Sequence, residues 1–375
     1  MRVVIAAAGT GGHINPGIAI ANKIKDEEKD SKITFIGTNR GLENDLVPRA
    51  GYELKTINAY GIERKITLAN LKRLYNTIRS IGEAKKILEK FKPDVVLGTG
   101  GYICMPVITA AKKLNIPTLL HESNAFPGVS VKLLAKKTDT VLVGFEDAKS
   151  RIPKAKNVVV TGNPTKIKKL NLSQEEKNHI KQELGFKDLE KPIVLAFGGS
   201  QGAQSINKSL IEIIKEKKNK DYQLMWAAGP LQYDEIKEEL SNCNININNI
   251  PNVKIVPYIY NMEEVMNTID LVVCRSGAMT ITEIAIVGKP AIFIPFPYAT
   301  ENHQEYNAKV LANMNAAEII LDKDLNANKL NEEICKIVLD KNKLQEMSIN
   351  ANKVAVNDVE NRIYKEIKTA IKSKK

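Results

Sequence analysis

Aromatic residues are scarce in this chain. Phe, Tyr and Trp make up 5% of its 375 residues, with a single Trp. RNA-reading modules stack bases on aromatic platforms, so this composition argues against nucleic acid as a partner. Cysteine is sparse too: Cys104, Cys243, Cys274 and Cys335 lie far apart with no C-x-x-C pair. That pattern speaks against a zinc module or a disulfide framework and points to reduced thiols. Four histidines occur, none paired at metal-ligand spacing, so no metal and no cofactor is assigned. No apolar run approaches the roughly 18 residues of a membrane span. The run at 3–8 is too short for a signal-peptide core. The expectation is a cytoplasmic protein whose membrane contact is peripheral.

Positive charge, by contrast, is plentiful: Lys+Arg 55 against Asp+Glu 43, a net +12. Such a balance suits a lysine-rich proteome or attraction to an anionic surface, with membrane headgroups favoured over nucleic acid. The length exceeds one ordinary core and suits two domains. Strand-like runs alternate with helical stretches. The strands are expected at 3–8, 33–37, 95–98, 118–122, 140–144 and 157–161, then at 193–198, 223–228, 253–257, 271–274, 291–295 and 317–320. This alternation predicts an α/β chain of two Rossmann-like, doubly wound domains. The breaks are placed at Gly162-Asn163-Pro164 and, for a second crossing, near 295–303. The expected division is 1–163, 164–342 and a helical tail 343–375 returning to the first domain.

Each half carries a glycine-rich turn between a strand and a helix: Gly9-Thr10-Gly11-Gly12-His13, and Gly198-Gly199-Ser200-Gln201-Gly202. Amides exposed at a helix N-terminus favour a phosphate. A dinucleotide fingerprint fails, because Ile14 stands where the third glycine belongs and no acid ends the second strand. No Gly-Lys-Ser/Thr follows, so this is not a P-loop. His13 opens the helix after the first turn, where the local field favours the neutral imidazole a general base requires. Gly98-Thr99-Gly100-Gly101-Tyr102 permits close helix–strand packing, offers a second set of backbone donors suited to a diphosphate, or does both, with Gly9, Thr10, Gly100, Gly101 and Tyr102 as the candidate donors. His121-Glu122-Ser123-Asn124 ends a strand at the same sheet edge, and Glu122 is a second candidate base.

In the second half Arg275-Ser276-Gly277-Ala278-Met279-Thr280-Ile281-Thr282-Glu283 follows a strand. The Glu283 carboxylate could hold two neighbouring hydroxyls, although Thr280-x-x-Glu283 also fits a capping box. Asp322-Lys323-Asp324 reads as a solvated loop. Between 62 and 92 lies a basic amphipathic stretch in which Leu71, Lys72, Arg73, Leu74, Tyr75, Ile78 and Arg79 form either a packing face or an interfacial patch.

Taken together, these motifs resemble the MurG family of bacterial transferases. The resemblance runs through the first turn, Gly41-Leu42-Glu43, Gly98 to Tyr102, His121-Glu122-Ser123-Asn124 and Thr161-Gly162-Asn163-Pro164. It continues in Gly198 to Ala203, Arg275 to Ala278, Thr282-Glu283, His303-Gln304 and Asn307-Ala308. The likeness implies a GT-B fold and inverting transfer of N-acetylglucosamine from UDP-N-acetylglucosamine to lipid I at the cytoplasmic face of the membrane. It places Ser200 at the donor diphosphate, Glu283 at the ribose and the Ile259 backbone at uracil, with Ala278, Met279 and Gln304 at the sugar. Thr280, Ile281, Thr282 and Lys166 complete the donor set, and Thr10, Gly11, Gly12 and Asn124 reach it from the first domain. His13 is then the base for the acceptor 4-hydroxyl. Lys166 stands where the family commonly has Arg, exchanging a bidentate contact for a point charge. Expected partners are the two substrates, an anionic membrane surface and other cell-wall synthesis proteins. The rival readings are a related transferase with another acceptor, a non-hydrolysing sugar-nucleotide epimerase and a catalytically silent binding protein.

Overall fold

The computed structural model describes residues 1–60, 68–199, 202–250 and 252–374, with side chains at 68–75, 77, 78 and 248 not described. The chain divides into two compact units: Met1–Lys166 with Val356–Lys375, and Ile167–Ala355.

The first unit is built on β1 (Arg2–Ala6), β2 (Lys32–Gly37), β3 (Glu53–Thr56), β4 (Val95–Gly98), β5 (Thr118–Glu122), β6 (Thr140–Val143) and β7 (Val158–Val160). They form one sheet in the order β3-β2-β1-β4-β5-β6-β7, every pair parallel. The second unit holds β8 (Ile193–Phe197), β9 (Gln223–Ala227), β10 (Val253–Val256), β11 (Leu271–Cys274), β12 (Ala291–Phe293) and β13 (Ala317–Ile319). Their order is β10-β9-β8-β11-β12-β13, again all parallel. Central strands such as Val-Val-Ile-Ala and Val-Val-Leu-Gly are apolar on both faces because helices cover both sides of a parallel sheet.

All twelve expected strands are present. The unexpected one is β3, whose Glu-Leu-Lys-Thr sequence lies at a sheet edge with a largely exposed burial pattern and so carries no buried run. The first strand is shorter than expected: Ala7 and Ala8 are buried but lie beyond the ladder.

The return crossing falls at Ala355/Val356, not near 295–303, which lies inside the second unit. The tail expected at 343–375 is two helices with different allegiances. Lys341–Val354 belongs to the second unit, while Val359–Lys372 belongs to the first. The latter buries Ile363, Ile367 and Ala370 in a core shared with Val3, Ile5, Ile14, Leu97 and Leu142. Lys368 and Tyr364 reach Glu28 beyond the helix Gly11–Glu27, and the Lys368 ammonium is the chief cause holding the Glu28 carboxyl down at about 2.

In each sheet the strand order reverses beside the first strand of the unit. The reversals lie between β1 and β4 and between β8 and β11. The crevice at the carboxyl ends of such a pair is where doubly wound sheets take ligands.

Candidate active site

At the first reversal β1 leads into the Gly9 turn and the helix Gly11–Glu27, while β4 leads into the loop Gly98–Tyr102. Gly11 and Gly12 open that helix after Thr10. First-turn amides lack intrahelical acceptors, which makes these two the turn's anion-facing donors. Gly9 does not join them, because its N–H donates to Glu43 Oε2 at 3.0 Å. Glu43 is fully buried and its other oxygen accepts from the Thr38 amide (2.9 Å) and hydroxyl (2.7 Å). Burial pushes this carboxyl up, but the hydrogen bonds from Gly9 and Thr38 outweigh it and the net shift is downward. Sequence reasoning quoted Glu43 without a role. Its position at the start of the helix Glu43–Arg49, after the polar 38–42 loop, was the available signal.

His13 is half-buried and its Nδ1 lies 3.3 Å from the Ala8 carbonyl. A carbonyl can only accept, so Nδ1 carries the proton and Nε2 is the basic nitrogen. The ring is seated on the second loop. A Cβ on Gly100 would come within 2.5 Å of His13 Cδ2, and one on Gly101 within 3.3 Å of Nδ1. Both glycines also hold left-handed φ of 111° and 80°. Thr99 Oγ1 donates to the His13 carbonyl at 2.7 Å, tying the loop to the helix. The Gly98–Tyr102 loop, expected to offer phosphate donors, thus forms the bed of the imidazole, and Tyr102 packs against the hydrophobic core.

Glu122 is 5% exposed and turns inward. Its Oε1 accepts from the Asn124 amide (2.9 Å) and Nδ2 (3.0 Å), and its Oε2 from the Gly128 amide (2.7 Å), at the start of the helix Val129–Leu134. Beside it, buried His121 donates from Nε2 to the Gly162 carbonyl at 3.1 Å. Burial drives its imidazole down to about 4, against the raising effect of that bond.

In the second unit β8 leads into the turn Gly198–Gly202 and the helix Gln204–Lys215, and β11 into Arg275–Gly277 and the helix Ala278–Val287. Ser200 and Gln201 lie outside the described residues. A cleft of about 590 Å³ opens here, lined among others by Gly199, Ser205, Arg275, Thr280, Gln304 and Asp322. That volume lies within the usual range for a small-molecule site. Two helix N-termini border it, so backbone amides converge on one space. The turn is braced from beneath. A Cβ on Gly202 would stand 2.6 Å from the Ala228 carbonyl oxygen. Asn207 donates to that same oxygen at 2.9 Å and accepts from Trp226 Nε1 at 2.9 Å.

Gly277 is the N-cap of Ala278–Val287, with no side-chain cap. Thr280 is therefore the third helical residue and faces the cleft, so the capping-box expectation does not hold. Thr282 spends its hydroxyl on the Ala278 carbonyl at 3.0 Å. Ile281 is fully buried and its amide bonds Gly277, which leaves it neither side chain nor N–H for a ligand. Met279 and Glu283 are half-buried, and Ile259 is buried between exposed Tyr258 and Tyr260. Gln304 gives its carbonyl oxygen to the amides of Ser276 (3.2 Å) and Phe296 (2.9 Å), so what it offers the cleft is its Nε2 donor. Lys166 is exposed at the end of the first unit.

Asp322, read from sequence as solvated, in fact lines the cleft and pairs with Arg275, while Lys323 and Asp324 are exposed. A short acidic turn after a strand carries no sequence signal of its tertiary partner. The basic stretch lies on the helix Leu68–Phe91, but the side chains of Leu71, Lys72, Arg73, Leu74, Tyr75 and Ile78 lie outside the described residues. Arg79 is exposed. Among the described residues no helix is long and apolar enough to cross a membrane.

Two family models match: the glycosyltransferase family 28 N-terminal domain over residues 3–143 and its C-terminal domain over 193–363. A protein of Acetivibrio thermocellus named UDP-N-acetylglucosamine–N-acetylmuramyl-(pentapeptide) pyrophosphoryl-undecaprenol N-acetylglucosamine transferase is 44% identical, covering 100% of this chain and 99% of its own. A Bacillus cereus protein of the same name, numbered 1, is 40% identical over 99% of this chain and 100% of its own. The crystal structure of Acinetobacter baumannii MurG superposes with a TM-score of 0.79 at 26% identity, covering 98% and 99% of the two chains. Full-length likeness at this level, carried on two parallel α/β units with a glycine turn at each sheet's reversal, means that the chain belongs to the MurG family of glycosyltransferases.

Proposed function

We propose that this protein transfers N-acetylglucosamine from UDP-N-acetylglucosamine to the 4-hydroxyl of undecaprenyl-diphospho-N-acetylmuramoyl-pentapeptide, converting lipid I to lipid II with inversion. The observation that carries the reading is 44% identity along the whole chain to transferases named for that donor and acceptor. The geometry of His13 supports it, since a tautomer fixed by the Ala8 carbonyl leaves Nε2 basic.

In this scheme the second unit holds the donor. Ser200, the amides of the Gly198–Gly202 turn and those of Ala278, Met279 and Thr280 take the diphosphate. Glu283 takes the ribose hydroxyls, the Ile259 backbone takes uracil, and Gln304 Nε2 takes the sugar. Thr282 serves through its place in the helix, and Ile281 packs the core beneath it. The first unit supplies Thr10, Gly11 and Gly12 to the phosphates, with Asn124 and Lys166 as further polar contacts. His13 Nε2 accepts the acceptor's 4-hydroxyl proton as that oxygen attacks the anomeric carbon. The bond from that carbon to the β-phosphate oxygen breaks, and UDP leaves with the electron pair. Helix N-termini stabilise the charge it carries away. Glu122, whose oxygens are spent on Asn124 and Gly128, acts by shaping the loop rather than as the base. A lipid-linked acceptor is consistent with an enzyme working at the cytoplasmic membrane surface, and the basic helix Leu68–Phe91 is the contacting element in this reading.

The test is UDP release measured with a soluble lipid I analogue. Release is expected only when donor and acceptor are both present. Conversion of the donor without acceptor would replace this reading with an epimerase, and no turnover under either condition would remove it.

A further inference from the structure

The donor cleft contains one cationic and one anionic side chain among its described lining residues, Arg275 and Asp322, and they are bonded to each other. The Arg275 guanidinium is held from several directions. Its Nη1 donates to the carbonyls of Ile294 (3.0 Å) and Pro295 (3.2 Å) and to Asp322, and its Nη2 to Ser205 Oγ at 3.0 Å. Ser205 closes the ring by donating to Asp322 Oδ1 at 2.6 Å. The guanidinium also lies 5.6 Å from the Phe296 ring centroid. Both charges are mostly shielded, with side-chain exposures of 13% and 22%. In so enclosed a place Asp322 cancels the charge of Arg275 more fully than solvent could.

A carboxylate in a cleft that takes a diphosphate works against binding. Neutral Asn or Ser would still accept from Arg275, by weaker, uncharged hydrogen bonds. The feature that only a carboxylate supplies is negative charge. We propose that Asp322 is a positioning residue that also limits affinity for phosphate-bearing ligands. It fixes the Arg275 fork while weakening the pull on the nucleotide, so that UDP departs after transfer instead of remaining as an inhibitor. The inference rests on the proposed function in assigning a nucleoside diphosphate to this cleft.

The experiment titrates the full-length protein with UDP and follows donor kinetics alongside. Asp322→Asn keeps the shape and an acceptor oxygen but removes the charge. It is expected to bind UDP about fivefold tighter, with a steeper loss of affinity as salt rises. KM for the donor and kcat should fall together as product release slows. Asp322→Glu is expected to restore wild-type affinity. Asp324→Asn, which removes a neighbouring exposed carboxylate that does not line the cleft, should leave UDP affinity within about twofold. A purely structural role predicts the opposite sign, weaker UDP binding in Asp322→Asn, and that result or an unchanged affinity overturns the proposal. So does a shift in Asp324→Asn equal to that in Asp322→Asn. Thermal melting of each variant identifies any that misfold, and if Asp322→Asn does, Asp322→Ser, which also removes the charge, is read in its place. Wild-type protein that binds no UDP overturns both this proposal and the transferase reading. Wild-type protein that binds UDP but transfers nothing overturns only the latter.

Discussion

The two glycine turns sit at the same place in their sheets yet are held by opposite chemistry. The first, Gly9 to Gly12, is clamped from behind by a buried carboxylate, Glu43, and carries a histidine on its helix. Beneath Gly202 of the second the groups are neutral, the Ala228 carbonyl being held by the Asn207 amide, which accepts from the Trp226 indole, and the nearby cleft contains a charge already paired. Under the proposed function, the contrast amounts to a division of labour. A turn that presents a base needs a rigid seat for a group that gains and loses a proton. A turn that binds a charged nucleotide does better with fixed dipoles and little net charge. Shared topology sets where the chemistry occurs, and the side chains beneath each turn set what it is.

Removing the base should separate the two turns most sharply. His13→Ala is expected to lower kcat by about 10²- to 10⁴-fold, leaving UDP affinity within about twofold, as read by UDP release beside direct titration. Equal losses in both measurements would mean that the ring serves the donor turn as well.

A methyl group on the second turn should come next. At Gly202 a Cβ meets the Ala228 carbonyl oxygen at 2.6 Å in a left-handed backbone, φ 80°. Gly202→Ala is expected to weaken UDP binding by more than about tenfold. At Gly9 the φ is 95° but nothing lies within 4 Å of a Cβ, so Gly9→Ala should cost only the conformational penalty, about 1–2 kcal/mol of stability. Equal effects of the two substitutions would show that backbone strain, not the braced contact, governs the turns.

Acid should reach the first unit before the second. His121 titrates near 4 when folded against an ordinary 6.5, so the unfolded chain binds the extra proton first. Stability is therefore expected to fall as pH drops from 6.5 toward 4. The lowered Glu43 carboxyl adds a further loss as pH falls below its ordinary 4.5. In the second unit buried Lys289 is lowered to about 8 from 10.5, chiefly by burial, so its contribution grows as pH rises through that window. Hydrogen exchange against pH, resolved by unit, checks the asymmetry. Glu43→Gln should flatten the acid limb below pH 4.5, and an unchanged limb would assign the loss elsewhere.

The smallest expected signal is optical. Trp226 is the only tryptophan, fully buried and bonded to Asn207 on the helix that starts at the donor turn. UDP should change its emission by a few per cent, saturating with the affinity found by titration. A signal that saturates elsewhere would uncouple the bracing network from the ligand.

Much of this was readable from sequence because parallel strands buried on both faces are long apolar runs, and glycine turns after them are conspicuous. The edge strand β3 escaped because an edge needs little hydrophobicity. At the site, positions fixed by local sequence were legible: the turns, His13, and the Arg275–Gly277 loop. Partnerships made across the fold were not. Nothing near Glu43 announces Gly9, which is 34 residues away, and nothing near Asp322 announces Arg275, 47 away. The Glu122 carboxylate misled for a related reason. Its burial was foreseeable, whereas its commitment to Asn124 and Gly128 emerged only with the loop's path.

The helix Val359–Lys372 has a consequence for how the protein is made. Ile363 and Ile367 complete the apolar floor against which Val3, Ile5 and Ile14 pack. On the ribosome, the half that emerges first must wait with that floor uncovered until the helix Val359–Lys372 has been synthesised. The later half, contiguous in sequence, closes its own interior while its elder neighbour is still incomplete. His13, the proposed base, thus lies on the unit whose interior closes only after the second unit has been made.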